Sequence, residues 1–139
     1  GLETLGLRAR QQSENALKVG RFLEGRVPKI NFPALPSHPQ HNLAIEQMDA
    51  CGPIFSFEVD DRKQAFALLN ALQLIDISNN IGDARSLMCH NASTTHYSVS
   101  AEAREQMGVS EGMLRINVGL EDPQDVIDDL DQALRTAGL

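Results

Sequence analysis

Leu114-Arg115-Ile116-Asn117-Val118 alternates apolar and polar side chains, and Asp122-Pro123 follows a few positions later. A period of two places Leu114, Ile116 and Val118 on one face of a half-buried strand and Arg115 and Asn117 on the other. Asp122 supplies a helix cap, and Pro123 fits the first helical position, where its missing N–H is no loss. Val126, Ile127, Leu130, Ala133, Leu134 and Ala137 then recur at helical spacing until Gly138. A strand with one apolar face followed by a helix with one apolar stripe forms two surfaces that can bury each other.

The same alternation of short strands and helices runs back toward the N-terminus. Leu5, Ala9, Ala16, Val19 and Leu23 predict a helix over residues 3–24, ended by Gly25 and Pro28. Ile30-Asn31-Phe32 reads as a strand stopped by Pro33, and Ala34 to Gln40, with two further prolines, as a loop. A helix is predicted from His41 to the approach of Gly52, then a strand over 53–59. Asp60 or Asp61 caps a helix with Ala65, Leu68, Leu69 and Leu72 on one stripe. Leu74 to Ile77 is a brief strand, Ser78 to Asp83 a polar turn, and Ser86 to Cys89 is extended again. Ser100 caps a short helix to Met107. The strands are too few and too short for a nucleotide-binding parallel sheet. The predicted class is therefore α+β: a small, mostly antiparallel sheet covered by helices. Residues 1–139 read as a single domain, with 1–24 a linking helix and 25–139 an α/β sandwich.

Composition bounds the function. The chain has 139 residues, 42% of them apolar, enough for one packed core. Its formal charge of −7 has the wrong sign for duplex nucleic acid, whose binding rests on neutralised phosphates. The excess gathers in Glu121, Asp122, Asp125, Asp128, Asp129 and Asp131, which read as a solvated helix face. No apolar run is long enough to span a membrane. Cys51 and Cys89 stand far apart and unpatterned, which fits a reducing, cytoplasmic setting. The start Gly1-Leu2-Glu3-Thr4-Leu5 shows neither an initiator Met nor a signal peptide, so the expectation is of a chain that begins partway through something longer.

Arg115 is the most informative single residue, because a guanidinium is always charged and its planar fork matches a carboxylate. Alternation alone leaves two readings open: it holds an anionic substrate group, or it projects from a solvated sheet face. The turn Asn80-Ile81-Gly82-Asp83 can offer an amide side chain and backbone N–H groups to a ligand, or can be an ordinary connection. Cys89, His90 and His96 match no zinc spacing and lack a fourth ligand, so no metal site is predicted. A Ser or Cys nucleophile with a His base has no recognisable acid partner or strained elbow here. His38 and His41 flank Pro39 in a loop where capping or bridging is the simpler role. There is no GxGxxG or Walker loop, and none of Lys18, Lys29 and Lys63 sits where a lowered pKa is expected.

Taken in order, several stretches resemble the C-terminal part of the Cys/Met-metabolism family of pyridoxal-phosphate enzymes. They are Gly1-Leu2-Glu3-Thr4-Leu5 with Leu7-Arg8, Asn15-Ala16, Phe22-Leu23-Glu24, and Leu35-Pro36-Ser37-His38-Pro39. Asn80-Ile81-Gly82-Asp83-Ala84-Arg85-Ser86-Leu87, Ala92-Ser93-Thr94-Thr95-His96 and Leu114-Arg115-Ile116-Asn117-Val118-Gly119-Leu120-Glu121-Asp122 complete the series. The resemblance covers nearly the whole chain. It implies that Arg115 grips the α-carboxylate of the substrate and that the turn bearing Asn80, with Ile81 beside it, contributes to the same group. Asparagine rather than serine in that turn leans toward a sulfhydrylase. Asn91 departs from the family, which commonly has proline there.

The resemblance further implies pyridoxal phosphate as cofactor, an O-acyl-homoserine (O-succinyl or O-acetyl) and sulfide as substrates, and homocysteine as product. It places the Schiff-base lysine, the aspartate facing the pyridine nitrogen and the phosphate cup in a large cofactor domain upstream of Gly1. The chain alone is accordingly expected to be inactive and to self-associate through a face that domain covers, while the parent assembles as a homotetramer. Orientation is what a protein adds to pyridoxal chemistry, and a bidentate arginine on a rigid strand supplies it. A lyase acting on cystathionine or methionine is the alternative within the family. A non-catalytic α+β interaction module is the alternative outside it.

Overall fold

Asp122 accepts a hydrogen bond from the Gln124 amide at 2.8 Å and so starts α5 (Pro123–Ala137), the helix that closes the core. In the computed structural model, which describes residues 1–139, four further helices precede it: α1 (Leu5–Leu23), α2 (His41–Gln47), α3 (Arg62–Ala71) and α4 (Ala101–Gln106). Five strands, β1 (Lys29–Asn31), β2 (Ile54–Glu58), β3 (Asp76–Ile77), β4 (Leu87–His90) and β5 (Met113–Asn117), form one sheet in the order β1-β2-β5-β4-β3. All neighbours are antiparallel except β3 and β4, which run parallel. The class is the predicted α+β, with a mostly antiparallel sheet.

Register decides what each face carries. Phe55 and Phe57 of β2 lie opposite Ile116 and Leu114 of β5, and Met88 of β4 lies on the far side of Ile116. These side chains meet Ala16, Val19 and Leu23 of α1, Ala65, Leu68 and Leu69 of α3, and Val126, Leu130, Ala133 and Leu134 of α5 in a single apolar cluster. All three helices therefore cover one face of the sheet. On the other face Ser56, Arg115 and Cys89 stand in one row across three strands, and Ile54, Asn117 and Leu87 in the next.

Caps explain why α3, α4 and α5 begin where the sequence predicts. The Asp61 carboxylate accepts from the Gln64 amide at 2.8 Å, and Gln64 in turn accepts from the Asp60 amide at 2.9 Å. Ser100 accepts from the Ala103 amide at 3.3 Å. Four expectations need correction. Residues Leu2–Thr4 form a 3-10 turn ahead of α1. Helix α2 stops at Gln47, because Met48 adopts an extended conformation. The strand expected over 74–77 shrinks to Asp76–Ile77, since the amides of Gln73, Leu74 and Ile75 bond to the Asp129 carboxylate instead of a neighbouring strand. The acidic face of α5 is correspondingly not all solvated: Asp129 is only 6% exposed.

Candidate substrate-carboxylate site

Arg115 lies at the centre of β5, between Ser56 of β2 and Cys89 of β4. Its side chain is half-buried, and its Nη2 donates to the carbonyl of Asn79 at 2.8 Å. None of the ion pairs in the chain involves it, so the remaining guanidinium N–H groups are not committed to a carboxylate of the protein. Asn79 is the residue before Asn80. The fold thus brings the arginine and the asparagine-bearing bend together across 36 residues of sequence. Asn80 and Ile81 are both exposed, Ile81 at 67%.

The bend is shaped locally and anchored distantly. The Ser78 hydroxyl accepts from the Asn80 amide at 3.3 Å, and the Ser78 amide donates to the Met88 carbonyl at 3.1 Å, which fixes where the bend leaves the sheet. Arg85 pairs with Asp76 at 2.7 Å across its base. The stretch after it runs beside the end of β5. The Leu120 amide donates to the Ala84 carbonyl at 2.8 Å, and the Ser86 amide and hydroxyl donate to the Glu121 carboxylate at 2.7 and 2.9 Å. Gly119 permits this approach, since a Cβ there would lie 2.5 Å from the Ala84 carbonyl oxygen.

Asn117 was expected on a polar strand face and is instead 2% exposed. Its Nδ2 donates to the carbonyls of Asp83 and Arg85 at 3.4 and 3.3 Å, so packing of the following loop, not solvent, occupies that position. The residues that sequence reasoning missed are Gln12 and Asn15 of α1, both buried. Gln12 donates to the carbonyls of Asp83 and Val118, and Asn15 to those of Gly119 and Glu121. The signal was present: Gln12 and Asn15 share a helical face with Ala16 and Val19, so their polar groups had to be met inside the protein.

The histidines have structural partners. His90 is 1% exposed; its Nε2 lies 2.8 Å from the Glu111 carbonyl and its Nδ1 2.8 Å from the Ser93 hydroxyl. A carbonyl can only accept, so Nε2 carries the proton and Nδ1 accepts from Ser93. Likewise His38 Nδ1 accepts from the Gln40 amide at 3.1 Å, and its Nε2 faces the Asn31 side-chain oxygen at 2.8 Å. His41 Nδ1 meets the Pro33 carbonyl at 2.8 Å, and His96 Nδ1 the Thr95 hydroxyl at 2.8 Å. No three His, Cys, Asp or Glu side chains gather as metal ligands. No helix is long and apolar enough to cross a membrane. Lys29 is held by Glu58 at 2.8 Å, while Lys18 and Lys63 are exposed on α1 and α3. These residues do not fit the covalent anchoring of a pyridoxal cofactor: no lysine of this chain is hydrogen-bonded at Arg115 or the Asn80 bend, and no glycine-rich phosphate cradle accompanies them.

Comparison with known proteins shows the family. The model of the Cys/Met metabolism PLP-dependent enzymes matches residues 1–135. An O-succinylhomoserine sulfhydrylase of Mycobacterium tuberculosis is 44% identical over 141 residues, covering 96% of this chain and 35% of that protein. A cystathionine gamma-lyase of Bos taurus is 42% identical over 140 residues, covering 99% of this chain and again 35% of the relative. Among solved structures, cystathionine gamma synthase from Xanthomonas oryzae pv. oryzae in complex with cystathionine superimposes with a TM-score of 0.91 at 36% identity, over 99% of this chain and 36% of that one. The chain spans about a third of the length of the curated relatives it matches.

Proposed function

Because the chain belongs to the Cys/Met metabolism family of pyridoxal-phosphate-dependent enzymes, we propose that it is the substrate-carboxylate-binding C-terminal domain of a sulfhydrylase that replaces the acyl group of an O-acyl-homoserine with sulfide to give homocysteine. One observation carries this reading. Arg115 is a half-buried guanidinium with no carboxylate partner, its direction set by the Asn79 carbonyl beside Asn80. A fork left in that state can accept a carboxylate in two parallel hydrogen bonds, while Asn80 and Ile81 stand free on the adjoining bend. Bond cleavage at the substrate belongs to the cofactor when it is bound. Arg115 and Asn80 fix the direction in which the amino acid enters, which is the orientation that chemistry needs.

The anchoring lysine and phosphate contacts are assigned to a companion cofactor domain, and the chain alone to an inactive state. Leu2, Leu5 and Leu7 at one end and Leu43 and Ile45 of α2 with Met48 just after it are exposed apolar side chains suited to cover by that domain. Gel filtration of the chain alone is expected to show self-association, and a clean monomer would count against this assignment. The full-length protein is to be assayed with O-succinyl-L-homoserine and sulfide, and separately with cystathionine alone. Faster turnover of the first pair supports the sulfhydrylase; faster cleavage of cystathionine selects a lyase, the reading favoured by the 42% identical cystathionine gamma-lyase.

A further inference from the structure

Gln12 is 5% exposed on α1, and its position matters more than its burial. Its Nε2 donates to the Asp83 carbonyl at 2.8 Å and to the Val118 carbonyl at 3.0 Å. One carbonyl ends the bend that carries Asn80, and the other follows the strand that carries Arg115. The two hydrogens of one amide group diverge in a fixed plane, so a side chain that satisfies both carbonyls also sets the spacing between the segments. Arg115 itself holds the near side of the bend through the Asn79 carbonyl at 2.8 Å, and on the far side, after residue 82, the remaining links lie farther from Asn80. Leu120 bonds to Ala84, and Glu121 bonds to Ser86. Only Asn117 also reaches Asp83, and it does so at 3.4 Å. Gln12 therefore supplies the nearest short fastening on the C-terminal side of residues 80–82, where Gly82 has a φ of +78° and the side chains are exposed.

Resting on the carboxylate reading above, we propose that Gln12 is a positioning residue for substrate binding: from α1 it locks the Asn80 bend to the Arg115 strand at the separation a bound carboxylate requires. It touches neither Arg115 nor the ligand. Asn15, one turn further along α1, donates to the Gly119 and Glu121 carbonyls, both on the Arg115 side, and so cannot set that separation.

The test is a titration of the 15N-labelled chain with O-succinyl-L-homoserine, following the Arg115 Nε–H and the amides of Asn80 and Ile81, together with amide exchange over residues 79–82. Four chains are compared: wild type, Arg115→Ala, Gln12→Ala and Val19→Ala. Val19 is fully buried on the same helix and apolar, so its truncation loosens α1 without removing a polar contact to the bend. Wild type is expected to show saturable shifts that Arg115→Ala abolishes. Gln12→Ala is expected to bind about threefold to tenfold more weakly, with faster exchange at 79–82. Val19→Ala is expected to lower Tm while keeping Kd within about twofold. If Gln12→Ala does not fold, Gln12→Met keeps the volume but cannot donate, and the same weakening is expected. A Gln12 variant that binds like wild type, or a Val19→Ala chain that weakens as much as Gln12→Ala, overturns the proposal. Absence of any Arg115-dependent shift in wild type defeats the carboxylate reading itself, and the Gln12 proposal with it.

Discussion

Replacing Asp129 with asparagine changes one oxygen into an NH2 group at the most densely bonded carboxylate in the chain. Oδ1 accepts from the Gln73 amide at 2.8 Å and from Gln132 Nε2 at 3.0 Å, while Oδ2 accepts from the amides of Leu74 and Ile75, each at 2.9 Å. Burial works to raise the carboxyl pKa, but the amides of Ile75, Gln73 and Leu74 and the Gln132 side chain outweigh it, and the group sits below its ordinary 3.8. An asparagine keeps one acceptor and turns an NH2 against two donors. Two hydrogen bonds to a charged group are lost at about 1.5 kcal/mol each, so the variant should be roughly 3 kcal/mol less stable near neutral pH. For a chain of this size that is a Tm lower by about 10 °C. The sign of the pH dependence follows from the depressed pKa. The contribution is present above the unfolded-state value and disappears as pH falls through the lower folded-state value. Urea unfolding of both chains near pH 7 and near pH 3 reads this directly: the gap should be wide at the first and narrower at the second. Equal stabilities near pH 7, or a gap that ignores pH, would refute the argument.

Arg115→Ala in the full-length enzyme should lower kcat/KM on the order of tenfold to a hundredfold for an O-acyl-homoserine, read by steady-state kinetics, with Arg115→Lys recovering only part. Gly119→Ala pushes a methyl against the Ala84 backbone at 2.5 Å and should cost about 1–3 kcal/mol, measured by thermal melts. Asn91 has a buried Oδ1 with no partner, and His90 before it is already extended, with φ −88° and ψ 110°. Asn91→Pro is therefore expected to raise Tm by a few degrees, by relieving that atom and stiffening the unfolded chain; a lower Tm contradicts this.

What was legible in the sequence was what local chemistry decides. Asp122-Pro123, Asp61 and Ser100 each carry the cap that starts a helix, and the structure places helices at all three. The Leu114 to Val118 alternation places its three apolar members in the core. What was not legible were polar groups spent on distant backbone. Asp129 belongs to an acidic run that looks solvated, yet its backbone partners lie more than 50 residues away, at a connection whose amides no strand takes up. Asn117 and Gln12 were hidden for the same reason, because the carbonyls they meet become neighbours only after the sheet is assembled. Arg115 was legible as a residue type, while its restraint by Asn79 was not.

Strands β3 and β4 lie side by side and point the same way, joined by residues 78–86 with no helix between them. A chain leaving one such strand has to travel back toward the starting end of the other before it can enter it, and here it does so as an overhang. That return trip is imposed by connectivity, whatever the residues along it are. The exposed side chains of Asn80 and Ile81 at its tip can change without disturbing the sheet beneath, whereas Arg115 is woven into its middle strand. If Arg115 holds the acid group as proposed, acceptance of different amino acids can be retuned at positions 80 and 81 alone, with Gly82 kept for its left-handed backbone.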